Sequence, residues 1–76
     1  MKLCDLIYVL KDASVNVDFF CYEKKLIHLF SGTMNDFKKS IHYYAFQTER
    51  ILNFDLVGTW FEGYTANVTC AVAKAE

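Results

Sequence analysis

Proline is absent from this chain, and glycine occurs only at Gly32, Gly58 and Gly63 in 76 residues. Without proline there is no proline-rich linker, and so few glycines leave no glycine-rich loop to cradle a phosphate. Arg50 is the single arginine among eight basic and nine acidic residues, and the formal net charge is −1. That balance gives neither the basic stripe of a nucleic-acid binder nor the acidic surface of a DNA mimic. No apolar run approaches the ~20 residues that span a bilayer, and "MKLCDLIYVL" is broken by Asp5 and too short for a secretory core. No membrane partner is expected. The three cysteines, Cys4, Cys21 and Cys70, are odd in number, far apart and without a C-x-x-C pair, so they fit neither a disulfide framework nor a zinc cage. They read as small buried hydrophobes in a reducing cytoplasm, where the sequon Asn67-Val68-Thr69 is accidental.

What the chain does have is apolar and aromatic mass, 54% hydrophobic and 17% aromatic with 22% charged. Such a composition folds, and 76 residues make one domain over 1–76. A domain this small buries only about 60% of its unfolded surface, so every large apolar side chain counts.

Leu3, Leu6, Ile7 and Leu10 fall at helical spacing, which predicts a short helix over 3–11 ending in "KDAS". From Val15 the period changes to two through Val17, Phe19 and Cys21, the pattern of a half-buried strand. A polar break at Glu23-Lys24-Lys25 returns the chain into Leu26 to Phe30, a hairpin turning about the two lysines. Thr33 followed by Asp36 is a variant capping box, opening a second helix that carries Met34, Phe37, Ile41, Tyr44 and Ala45 to about residue 46. Then "ILNFDLV" reads as a third strand, with Leu52, Phe54 and Leu56 on one face. After "GTWFEG", a turn with two exposed aromatics, Tyr64, Ala66, Val68, Cys70 and Val72 alternate as a fourth. The expected fold is α+β: a two-layer sandwich of a four-stranded antiparallel sheet with two helices on one face, in the order α-β-β-α-β-β. Strand orders 1-2-3-4 and 2-1-4-3 both satisfy the pattern.

Catalytic constellations are scarce. His28 would lie opposite Cys21 in the expected hairpin, a thiol and imidazole pair, but neither an orienting acid nor oxyanion donors are near in sequence. His42 reads as a surface residue. The two histidines and three cysteines lack metal-ligand spacing, and "FSGTMNDF" reads as a helix cap; the chain is expected to be no enzyme and to need no cofactor or metal. Phe20, Tyr22 and Trp60 could stack single-stranded bases, yet Asp18, Glu23, Asp55 and Glu62 sit among them.

One surplus stands out. If Phe19, Cys21, His28 and Phe30 form the core face of the first hairpin, Phe20, Tyr22, Ile27 and Leu29 share the other, joined by Ile51 and Val57. Phe20, Tyr22, Ile27, Leu29, Trp60 and Phe61 are the expected partner-binding residues. The first four alone would expose ~300–400 Å², the size at which a patch marks an interaction site. The competing expectation is a different register, with "GTWFEGY" folded back over these rings.

The segments "KLCDLIYVLKD", "LIHLFSGTMNDFKK" and "ILNFDLVGTW" resemble a loose family of short proteins encoded by phages and mobile elements of Gram-positive bacteria. The likeness runs through Leu10 and Asp12, then Phe30, Gly32 and Thr33, then Asp36 and Phe37. It covers most of the chain with short, structural motifs, and it brings no assigned activity or catalytic residue. The chain departs from that family in its aromatic richness and in lacking an acidic hairpin turn. The resemblance implies a setting in which small proteins inhibit host enzymes or defence systems. The expected function is therefore a non-enzymatic, anti-CRISPR-like inhibitor of a bacterial defence nuclease, acting in the host cytoplasm through an aromatic sheet face. A single-stranded nucleic-acid binder and a purely structural homodimer are the alternatives.

Overall fold

The computed structural model describes residues 1–10 and 14–72. Among these residues lie helix α1 (Leu3–Leu10), strands β1 (Val15–Glu23) and β2 (Lys25–Thr33), helices α2 (Met34–Lys38) and α3 (Ile41–Phe46), and strands β3 (Ile51–Thr59) and β4 (Gly63–Ala71). The fold is α+β, as expected. The expected helix end at Lys11, the first three residues of the "KDAS" break and, with them, Asp12 of the family resemblance lie outside the described residues.

The four strands form one sheet in the order β2-β1-β4-β3. Both hairpins pair antiparallel, but the central pair, β1 with β4, is parallel, with Val15 opposite Tyr64 and Tyr22 opposite Ala71. The sheet is therefore mixed, which corrects the antiparallel expectation. Two hairpins pointing the same way meet along a parallel seam because α2 and α3 carry the chain from the β2 edge across to the β3 edge.

The expected second helix is two. Thr33 caps α2 as anticipated, its hydroxyl accepting from the Asp36 amide at 3.1 Å. Ser40 then interrupts: its Oγ donates to the Phe37 carbonyl at 2.7 Å and accepts from the Tyr43 amide at 3.2 Å, closing one helix and capping the next.

The core lies between the helices and one face of the sheet. Leu3, Leu6 and Ile7 of α1, Met34 and Phe37 of α2, Val15, Val17 and Phe19 of β1, and Ala66, Val68 and Cys70 of β4 are buried together. Phe37 is its hub, its ring centroid 5.1 Å from Phe19, 5.3 Å from Phe30 and 5.6 Å from Tyr43. The start of the chain is tied in by the Leu3 amide donating to the Glu49 carbonyl at 3.0 Å and the Ile51 amide to the Met1 carbonyl at 2.8 Å.

The β1–β2 register explains where the surplus aromatic face went. Asn16 through Phe19 pair with Thr33 through Phe30 as a turn about the two lysines requires. Past Phe19 the pairing slips by one, so Phe20 faces His28, Cys21 faces Ile27 and the chain reverses at Lys24, which takes φ 65°. Leu29 is the extra residue of a β-bulge. Ile27 thereby lies on the buried side with Cys21, and Leu29 packs against the core. His28 goes to the outer side, which separates it from Cys21 and undoes the expected dyad.

Candidate functional site

On the helix-facing side of the sheet, β3 continues the buried rows of β1 and β4. Leu56 stands opposite Ala66, and Phe54 opposite Val68. By pattern these are core residues, yet Phe54 is 39% exposed and Leu56 45%. Three short helices, α1 of eight residues and α2 and α3 of five and six, about 12, 8 and 9 Å long, do not roof the whole face of four strands spaced ~4.8 Å apart. The apolar residues Phe37 of α2 and Phe46 of α3 meet Phe19 of β1, and β3 beyond Ile51 is left bare.

The bare surface continues into the β3–β4 turn. Thr59 Oγ1 accepts from the Glu62 amide at 3.0 Å and holds the turn. Gly58 and Gly63 flank it at φ 127° and 96°, and a Cβ on Gly58 would collide with the Gly63 carbonyl oxygen. So fixed, the turn presents Trp60 and Phe61 in edge-to-face contact, centroids 5.6 Å apart, and exposes 83% and 82% of them. Neither ring folds back over the sheet, which answers the competing expectation for "GTWFEGY". Leu52 and Tyr64 add exposed apolar surface to the same hairpin.

The outer face of the sheet is different. Phe20 stacks beside His28 with centroids 4.7 Å apart, and the imidazole Nε2 lies 3.7 Å from an Asp18 carboxylate oxygen. Tyr22 is exposed near the far end of β1. Asn16, Asp18, Ser31, Gly32, Thr33 and Thr65 line an open polar depression of about 210 Å³. Of the six expected partner-binding residues, the structure brings together Trp60 and Phe61 at the turn and leaves Phe20 and Tyr22 on a mainly polar face. Ile27 and Leu29 belong to the helix side. Leu52, Phe54, Leu56 and Tyr64 escaped the sequence reading as surface residues, since their alternation is that of core; the available signal was the shortage of helix to cover them.

The thiols have the chemistry of packing. Cys21 and Cys70, opposite one another across the parallel seam, are both buried. Burial foremost, then the charges of Glu49 and Cys21, pushes Cys70 up to about 12. Burial, then Glu23, raises Cys21 above its usual value of 9.0. Both are neutral at pH 7 and therefore poor nucleophiles. Among the described residues, no three His, Cys, Asp or Glu side chains gather as a metal site, and no helix is long and apolar enough to cross a membrane. No protein-family model, curated protein or solved structure matches the chain.

Proposed function

We propose that this chain is a non-enzymatic protein-binding module whose docking surface is the β3–β4 hairpin, with Trp60 and Phe61 as its anchors. The observation that carries the reading is the row of side chains in core alternation that the chain's own helices leave uncovered, ending in two aromatic rings held out by a glycine-flanked turn. Aromatic anchors of this kind dominate binding energy at protein interfaces. At ~200 Å² per ring, Trp60 and Phe61 alone present about 330 Å², or roughly 8 kcal/mol gross. Association costs on the order of 4–15 kcal/mol, so the anchors need the β3 surface beside them.

The resemblance to small phage and mobile-element proteins supports a target in the host cytoplasm, a defence nuclease such as a CRISPR effector. The test is target cleavage by a panel of purified effector nucleases with the wild-type chain and with the double variant Trp60→Ala, Phe61→Ala. Inhibition of one nuclease by wild type, weakened at least tenfold in the double variant, is expected. If none is inhibited, and interference in cells is unchanged on expression of the chain, the nuclease target is wrong. Equal inhibition by both forms moves the docking surface off the hairpin.

A further inference from the structure

We infer that, in the absence of a target, the β3–β4 hairpin is occupied by a second copy of the same chain, joined edge to edge through antiparallel β3–β3 pairing about a two-fold axis at Leu56. The inference rests on the reading of this hairpin as the docking surface and names its resting occupant.

The two sheet edges differ. β2 is blunted by the Leu29 bulge in mid-strand and by Lys24 and Lys25 at its turn, devices that discourage pairing. On β3 the register irregularity falls between Ile51 and Asn53, and from Asn53 to Thr59 the ladder to β4 runs without interruption. That stretch of edge contains no proline and a single charge, Asp55. Its outward backbone amides and carbonyls are a template for another strand.

Self-pairing is most complete when the uninterrupted stretch meets itself, and Leu56 is its midpoint. Asp55 then faces Val57, whereas a two-fold on Asp55 would oppose two carboxylates. Phe54 faces Gly58, which carries no side chain to crowd the ring. Asn53 faces Thr59 at each end of the pairing, which brings the turn that carries Trp60 in one copy towards Leu52 in the other. Along the shared edge Leu52, Phe54 and Leu56, all exposed in the single chain, come beside their counterparts in the other copy, and the strand backbones supply the rest of the contact. Target binding and self-association then compete for one surface.

Light scattering across 5–200 µM is the first measurement, with a mass rising to twice that of the monomer expected for wild type. Leu56→Lys, at an exposed position, is expected to remain monomeric with an unchanged circular dichroism spectrum. Register is read by single thiols introduced in a Cys4→Ser background and oxidised in air with copper. Directly opposed residues in antiparallel strands have Cα atoms ~4.5–5.5 Å apart, within disulfide reach. Leu56→Cys is expected to crosslink at least tenfold faster than Asp55→Cys or Val57→Cys. A monomer throughout the range overturns the inference, while leaving the nuclease-inhibition assay to judge the docking surface separately. A dimer that Leu56→Lys does not disperse, or that crosslinks equally from all three positions, overturns the β3 two-fold.

Discussion

Truncating Phe37 to alanine should remove most of the stability of this domain. The ring is fully buried, contributed by a helix of five residues, and touches Phe19, Phe30 and Tyr43 from three sides. Phe→Ala substitutions at packed sites cost about 3–5 kcal/mol, with the upper part of that range applying where the neighbours cannot close in. Relaxation is limited, because Phe19 and Phe30 are fixed on paired strands. A loss of about 4–5 kcal/mol is therefore expected, against a total near 4–11 kcal/mol for a chain of this length. A helix of five residues has no independent stability and is held by its two buried side chains, Phe37 and the smaller anchor Met34. Urea unfolding followed by far-ultraviolet circular dichroism is the assay of choice, since exposed Trp60 is a poor reporter of the core. With a slope of roughly 1 kcal/mol/M the midpoint should fall by about 4 M, or the variant should be unfolded in buffer. The control, Trp60→Ala, should stay within about 0.5 kcal/mol of wild type. A Phe37→Ala midpoint within about 1 M of wild type would refute the role of this ring as the hub of the core.

Three further outcomes are expected. Alkaline pH should destabilise the fold: Cys70, raised to about 12 from 9.0, and Cys21 and Tyr43, both raised by burial, keep their protons in the folded state where the unfolded chain has lost them. Stability from these groups is thus complete below pH 9 and lost as pH climbs towards 12, at up to ~1.4 kcal/mol per pH unit for Cys70; thermal midpoints between pH 8 and 11.5 check this, and a flat profile contradicts it. Gly58→Ala should cost about 2 kcal/mol or more and Gly63→Ala about 1 kcal/mol, because both have positive φ but only Gly58 lacks room for a Cβ; equal losses in chemical denaturation would discount the steric part. Ser40→Ala, which removes the cap of α3 and a bond to the Phe37 carbonyl, should cost about 1 kcal/mol by the same measurement.

Local signals carried far in this sequence. The spacing of Leu3, Leu6 and Ile7, the alternation of Val15 to Cys21 and the Thr33–Asp36 cap all translate directly into observed elements, since each depends on neighbours a few residues away. Long-range choices were not legible. Nothing local distinguishes a parallel β1–β4 seam from an all-antiparallel sheet, and Lys24 at φ 65° gives no glycine or asparagine to mark the turn. One inserted residue, Leu29, then reassigns Ile27 and His28 between faces. The proposed docking surface was half legible: Trp60 and Phe61 announce themselves in a turn, while Phe54 and Leu56 have the pattern of core and become surface only because the helices fall short.

The parallel seam also sets an order of events. Each hairpin closes over a short loop and can form within microseconds, whereas the seam joins residues about fifty positions apart and must wait for a large loop to close. The slow step of folding is then the meeting of two preformed hairpins, with Phe19 and Val68 packing late. Conservative truncations along that seam, such as Val68→Ala, should accelerate unfolding while hardly slowing refolding. Replacements within either hairpin would instead register in the refolding rate.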